Sequence, residues 1–428
     1  MKVRKNIVVL GTFDTKEIEG LYLSDMIRKL GHRAILIDIS LKKYEPKFLH
    51  PDFQNAKVIA LMETTIEELE KMEKIHAMNL MINAAVKLLH NLLKKNEIDG
   101  IIGYGGSVGS TMAIKIMKTL PFKIPKIILT TSPQTAVHVI GHSDICVIPS
   151  VCDLSGGTSI NSLEVLSLAR ASAAIAGMVK FKPKISKEKP IIVMSQFGVT
   201  TPHVIMAKHI LEKKGYEVIT FHATGIGGQA MEEFILAEKR VVGVLDATTH
   251  EIADTLIGGS CNAGPIRLTS AAKRMIPQVI LPGALDMVNF RGKLPEKFKN
   301  RYFHHHTEEV ILMRTSKEEC EIFGKIIAEK LNNCKGPAIV IIPRQGWSAY
   351  DLNGKVMCVD FYGQPTNKQW HDPAAIEAFT LALENNLDKS KPNIQIIKVD
   401  LHINDEECAT LAANLLDEKI KEQMKQKS

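Results

Sequence analysis

Short runs rich in Val and Ile alternate with longer segments of helical period along almost the whole chain, and this alternation narrows the fold more than any motif does. In the amino-terminal part the runs are residues 7–10, 34–39, 100–103, 126–131 and 145–149. A strand that is apolar at every position is buried on both faces, and a helix between successive strands supplies the crossover that parallel pairing requires. The expected class is therefore α/β, with mainly parallel, Rossmann-like sheets carrying helices on both faces.

At 428 residues the chain exceeds what one hydrophobic core organises, so two domains are expected. A long Ala- and Leu-rich helical stretch, residues 161–179, runs into KFKPKISKEKP at 180–190, whose prolines and lysines mark a linker. This places a nucleotide-binding domain at 1–182, the linker at 183–189 and a second Rossmann-like domain at 190–428. Beyond the linker the alternation restarts at 191–194 and continues through 218–222, 241–246, 278–281, 310–313, 338–342 and 394–399. Laying Ile191 on Ile7 puts Phe197 on Phe13, Gly215 on Gly31 and His222 on Asp38. Duplication explains the match, and so does the ordinary likeness of any two strand–helix–strand units.

Composition removes several classes of function. A hydrophobic share of 45% and a charged share of 24% are those of a globular protein, while 5% aromatics provide no stacking platform for single-stranded nucleic acid. The net charge of +7 is spread among acidic neighbours, so neither nucleic acid nor a membrane surface is an expected partner. The seven cysteines form no C-x-x-C pair, which suits a reducing compartment. The start lacks the apolar core of a secretion signal, and no uninterrupted apolar window reaches membrane-spanning length. The expected location is the cytoplasm.

In doubly wound sheets ligands bind beyond the carboxyl ends of the strands, where loops meet helix amino termini. In the first domain three segments end there. Gly11, Thr12, Asp14, Thr15 and Lys16 offer a tight turn, hydroxyls and backbone N–H groups to an anion; Asp38 closes the second strand, where a carboxylate can accept ribose hydroxyls. The third is Gly105, Gly106, Ser107, Gly109, Ser110 and Thr111, a glycine loop that follows a strand and opens a helix, so its N–H groups and the helix dipole favour phosphate. It is neither a Walker A loop nor G-x-G-x-x-G, since Val108 holds the last position; the plain alternative is a turn built for close packing. Ser155 to Thr158 read as a helix start, and Asp144 and Asp153 as capping carboxylates.

The second domain carries Gly225, Gly227 and Gly228 in GIGGQA, which matches G-x-G-x-x-[GA], with Asp246 about 20 residues later as the downstream acid. This supports an NAD(P)-dependent oxidoreductase as an alternative, although the motif falls on the second strand of its domain. Around it Asp246, Thr248, Thr249, His250, Glu251 and Asp254, then Asp286 and Asn289, and finally Asp400, His402 and Asp405 gather at strand ends, where a His beside carboxylates can move protons and carboxylates with hydroxyls suit Mg2+. His222, Asp246, Glu251 and His402 are the candidate catalytic residues; capping and local hydrogen bonding are the plain alternative for each. The run His304 to His306 reads as a polar loop, and no H-E-x-x-H or G-x-S-x-G motif occurs.

Taken together, VVLGTFDTKEIEGLYL, IIGYGGSVGSTMA, DICVIPSVCDLSGG, FHATGIGGQAMEEF, VLDATTHEIADTLIGG, AGPIRL, PGALDMVNF and LHINDEE resemble an uncharacterised protein family that includes the ATP-binding amino-terminal region of the tomato mosaic virus resistance protein. The resemblance runs from Val8 to Asp405. It implies two Rossmann-like subdomains, ATP bound by the three first-domain segments, and a homodimer; Mg2+ is expected as companion to the ATP. The family's reaction does not transfer; an enzyme acting on a small-molecule substrate in the interdomain cleft is one expectation, and a nucleotide-regulated interaction protein without turnover another. Val108, where a Gly is common, and the stretch DFYGQPTNKQWH at 360–371 depart from the family pattern.

Overall fold

The computed structural model describes residues 4–182 and 189–427. It divides into two compact units, Met1–Ile185 and Ser186–Ser428. Apart from Lys189, the expected linker at 183–189 lies outside the described residues.

The first unit is built on β1 (Asn6–Gly11), β2 (Arg33–Asp38), β3 (Gly100–Gly105), β4 (Lys126–Thr130) and β5 (Cys146–Pro149), paired in the order β2-β1-β3-β4-β5. All pairings are parallel. The period-2 geometry of β1 sends Val8 and Leu10 into one core with the helices Lys74–Lys94 and Ser107–Met117, and Ile7 and Val9 into another with Phe13–Lys29 and Ser162–Lys180. Each such fully buried side chain contributes roughly 1.5–3 kcal/mol of apolar transfer. Helix Ser162–Lys180 is long and apolar enough to cross a membrane by length and composition, yet Leu168, Ala171, Ile175 and Val179 pack it against this sheet as a core helix.

The second unit holds a parallel sheet of β6 (Ile191–Gln196), β7 (Glu217–His222), β8 (Val241–Thr248), β9 (Gln278–Gly283), β13 (Ala338–Pro343) and β16 (Ile394–Val399), ordered β16-β13-β9-β8-β6-β7. The first three strands of the unit repeat the arrangement of β1, β2 and β3, with the opening strand between the next two. A second sheet departs from the sequence reading. β10 (Met287–Arg291), β11 (Phe303–His305), β12 (Val310–Arg314), β14 (Met357–Val359) and β15 (Pro365–Gln369) form an antiparallel sheet ordered β10-β12-β11-β14-β15.

Two expectations change here. The run at 310–313 pairs antiparallel with β10 and β11 instead of joining the parallel sheet. A β-rich run carries no direction of its own, and the links from β10 to β11 and from β11 to β12 hold no crossover helix, which leaves only antiparallel pairing. His304 and His305 lie within β11 rather than in a polar loop, and the His304 ring packs 4.4 Å from that of Tyr350.

Candidate functional site

In the first sheet the chain reverses its direction of winding between β1 and β3, and the loops after these strands flank that switch point. A cavity of about 380 Å3 opens there, lined by Thr12, Asp14, Thr15 and Lys16 from one loop, Gly106 to Gly109 from the other, and Lys42 and Lys74 beside them. Gly106 is the extended N-cap of helix Ser107–Met117 and makes no side-chain cap. The amides of Ser107, Val108 and Gly109 have no acceptor among the described residues, so the positive end of this helix faces the cavity unpaired. A Cβ on Gly109 would sit 3.5 Å from Thr12 Oγ1, which measures how closely the two loops approach.

Lys42 and Lys74 are exposed and pair with no carboxylate among the described residues. Neither stands near a recognisable motif. Lys74 opens helix Lys74–Lys94, and Lys42 follows β2, so only the fold brings them to the loop. Lys16 lines the cavity while its Nζ donates to the Leu154 carbonyl, and its non-helical backbone breaks the helix one turn after Thr12.

Several first-domain candidates have structural work instead. In the loop after β1 the amides of Phe13 and Asp14 donate to Asp38 Oδ1 and Ser40 Oγ, at 3.3 and 3.1 Å, and those of Thr15 and Lys16 to the Thr12 carbonyl, so these N–H groups are closed to an anion. Asp38 is fully buried and outside the cavity lining; besides Phe13 it accepts from Ser40 N and Oγ at 2.9 and 2.5 Å. Burial pushes its carboxyl up, against the pull of those Ser40 bonds. Its Oδ2 has no partner among the described residues, but the side chain is fully buried and outside the cavity lining, which sets it apart from a ribose contact. Ser110 turns inward and donates to the Gly105 carbonyl and Thr130 Oγ1, at 3.0 and 2.8 Å. Gly11 leaves room for the Tyr104 ring, 2.4 Å from where its Cβ would stand; Gly105 and Thr111 lie behind the lining. Gly156, whose Cβ would come within 2.1 Å of the Thr15 carbonyl oxygen, packs the Ser155 turn onto this loop, and its amide donates to the buried Glu19.

The glycine loop of the second unit is already filled. Glu251 Oε1 accepts the amides of Gly225 and Gly228 at 2.6 and 3.1 Å, the groups that would hold a pyrophosphate. A Cβ on Gly228 would lie 2.2 Å from Glu251 Oε2, and one on Gly227 1.7 Å from the His222 carbonyl oxygen. The motif therefore makes room for an internal carboxylate and for its own backbone. Arg267, itself buried, donates from Nε to Glu251 at 2.6 Å and bidentately to Asp246 at 2.5 and 2.7 Å, with Glu232 at 3.4 Å. Asp246 is thereby closed to a ribose, and both it and Glu251 serve as ion-pair partners rather than proton carriers. Sequence reasoning missed Arg267, although an arginine inside AGPIRL was a visible signal.

Most of the remaining second-domain candidates are held by local bonds. Thr249 Oγ1 donates to the Leu281 carbonyl at 3.0 Å. His402 Nε2 meets the Ser348 carbonyl at 3.0 Å and Nδ1 accepts the Asn404 amide at 3.1 Å, so the ring has no free nitrogen. Exposed His222 contacts the Gln196 carbonyl at 3.1 Å and stacks on Phe197. On the same Phe197 ring packs His250, fully buried with both nitrogens unpartnered, and burial holds its pKa down at about 3. Asp254 accepts from Cys261 N and Asn289 Nδ2, at 2.9 and 3.0 Å, and burial pushes its pKa up to about 7. Among the described residues no group of three or more His, Cys, Asp or Glu side chains is arranged to hold a metal.

Models of the two halves of one family match this chain, the amino-terminal domain over residues 5–184 and the carboxy-terminal domain over 189–420, both described as the uncharacterised protein family UPF0261. The chain belongs to this family. A UPF0261 protein of Clostridium tetani is 42% identical, covering 97% of this chain and 98% of its own length. The ToMV resistance protein Tm-1 of Solanum lycopersicum is 36% identical over 94% of this chain, which spans only 54% of the tomato protein. Among solved structures, the MnaA–UDP structure from S. aureus aligns over 65% of this chain and 79% of its own at 9% identity and a TM-score of 0.24. UDP-N-acetylglucosamine 2-epimerase from Rickettsia bellii aligns over 98% of this chain and 96% of its own at 11% identity and the same score of 0.24. Likenesses this faint carry no ligand to the UPF0261 chain.

Proposed function

We propose that the first unit binds ATP with Mg2+, the polyphosphate lying on the amides of Ser107, Val108 and Gly109. What supports this reading above all is an unpaired helix amino terminus opening onto a cavity at the switch point of the sheet. Lys42 and Lys74 add positive charge suited to the β- and γ-phosphates, and the Thr12 and Ser107 side chains are close enough to donate hydroxyls. Asp14 is the one carboxylate in the lining among the described residues and, with phosphate oxygens, would hold Mg2+, a hard cation that keeps few protein ligands. The resemblance to an ATP-binding region, stated from the sequence, points the same way.

No comparable opening favours a dinucleotide in the second unit, because Glu251 occupies its glycine loop.

The test is thermal unfolding with ATP and Mg2+, since a ligand selective for the folded state raises Tm. Gly106→Asp is the decisive variant. Asp is a favoured N-cap, and the nearest atom to a Cβ at 106 is 3.7 Å away, so the fold tolerates it while its carboxylate takes the amides from phosphate. The expected result is a wild-type Tm that rises with millimolar ATP and a variant Tm that does not. No rise for the wild-type protein, or an equal rise for the variant, rejects the reading.

A further inference from the structure

The cavity beside the Gly106 loop carries more positive charge than its own surroundings neutralise. Lys16, Lys42 and Lys74 line it against one carboxylate among the described residues, Asp14, which leaves two positive charges in excess. Lys16 is held by the neutral Leu154 carbonyl. The residue after Lys42 shows the contrast, because Lys43 Nζ donates to Glu67 at 2.9 Å and the Lys43 amide to Glu70 at 2.6 Å. Lys42 is instead anchored through its backbone, its carbonyl accepting Asn55 Nδ2 at 2.8 Å, and its side chain is left to the cavity. Lys74 is the first residue of helix Lys74–Lys94, where a cation opposes the helix dipole; the first turn holds no acidic residue, and the N-cap Glu73 turns to His76 Nδ1 at 3.2 Å. Both placements become favourable with a polyanion in front of them.

For a base the same lining offers little. Among the described residues it contains no aromatic ring and no side-chain amide, and its apolar wall is Leu41, Val108 and Met112, aliphatic groups against which any base can lie. Telling one base from another takes polar groups that match its edge and stay unmade with the wrong one. Tyr44 and Gln54, which could stack on a base or bond to its edge, face a separate cavity of about 370 Å3 on the far side of Lys43.

We propose that this cavity selects the triphosphate group of its nucleotide rather than the base, with Lys42 and Lys74 telling three phosphates from two. Resting on the nucleotide reading, this selection widens the ligand class from ATP to nucleoside triphosphates in general. A single phosphate is enough for the amides of Ser107, Val108 and Gly109, and a monophosphate supplies it; only a longer chain reaches two lysines carried by other elements. Each further phosphate adds negative charge where like charges otherwise repel, so affinity climbs with phosphate number and is indifferent to the base.

Isothermal titration of the full chain, with Mg2+ and salt held constant, tests it with ATP, GTP, CTP, ADP, AMP and inorganic tripolyphosphate. GTP and CTP are expected within about threefold of ATP, and tripolyphosphate is expected to displace ATP. ADP is expected to bind roughly tenfold and AMP roughly a hundredfold more weakly, one charged contact being lost at each step. Both lysines are exposed, so Lys42→Met/Lys74→Met is expected to fold with an unchanged Tm in the absence of ligand and to bring ATP and ADP within about twofold of each other. Should the double variant bind too weakly to measure, the same ratio is read from the two single variants. ATP binding accompanied by GTP or CTP more than about threefold weaker, by ADP as tight as ATP, by no displacement with tripolyphosphate, or by an unchanged ratio in the variants overturns the selection and leaves the nucleotide reading standing. No binding of ATP at all rejects that reading, and the selection with it.

Discussion

Two glycine loops, one in each unit, follow parallel strands and open helices, yet they have opposite fates. At Gly106 the helix amides face a cavity and stay unpaired; at Gly225 the equivalent amides close on the Glu251 carboxylate, which Arg267 holds in turn. The motif match was better for the loop that is closed. Glycine spacing thus reports that something approaches the backbone closely, and only the fold tells whether that is a ligand, a side chain or another stretch of main chain.

The sharpest way to break this contrast is to remove Arg267. Arg267→Met leaves Asp246, Glu232 and Glu251 buried without their shared cation, and the expected loss on urea unfolding is on the order of 3–5 kcal/mol. A loss below about 1 kcal/mol would mean that the carboxylates do not depend on it.

Next in size come paired glycine substitutions. Gly228→Ala puts a methyl 2.2 Å from the Glu251 carboxylate and is expected to cost at least about 2 kcal/mol, whereas Gly106→Ala meets nothing nearer than 3.7 Å and is expected to cost about 1 kcal/mol at most. Equal costs would erase the distinction between a filled loop and an open one.

The smallest effect concerns pH. Burial raises the Asp254 pKa from the ordinary aspartate value to about 7, so the native state binds the extra proton between those values. Its stabilising contribution is complete below the unfolded pKa and is lost as pH rises towards 7, with a slope of up to about 1.4 kcal/mol per pH unit. In Asp254→Asn that slope is expected to flatten because the titrating carboxyl is gone, while Asn289, whose Oδ1 is unpartnered among the described residues, can rotate its amide to accept from the new side chain and keep the turn. An unchanged pH profile would assign the slope to another group.

Most of the parallel framework is legible in the sequence, because strands buried on both faces write themselves as unbroken apolar runs. The antiparallel sheet was not: β11 spells Phe-His-His and β15 Pro-Thr-Asn-Lys-Gln, residues that composition assigns to loops. At the candidate site the loops themselves were legible, and the cavity joins Thr12, Asp14, Thr15, Lys16, Gly106, Ser107 and Gly109 as their placement at strand ends implied. The roles within them were not. Ser110 turns inward because of Thr130 on β4, 20 residues away in the chain, and Asp38 because its own burial leaves its Oδ1 to Ser40, two residues on, a choice that sequence spacing does not dictate.

Glu251 has one consequence that no freely diffusing molecule shares: being covalently part of the chain, it cannot be diluted away. The turn around Gly225 keeps its anion in a starved cell and a replete one alike, so its order is indifferent to metabolism. A turn that borrows its anion from solution, as we propose for Gly106, stiffens and slackens with supply, which makes it the half of the molecule able to register how much nucleotide is present.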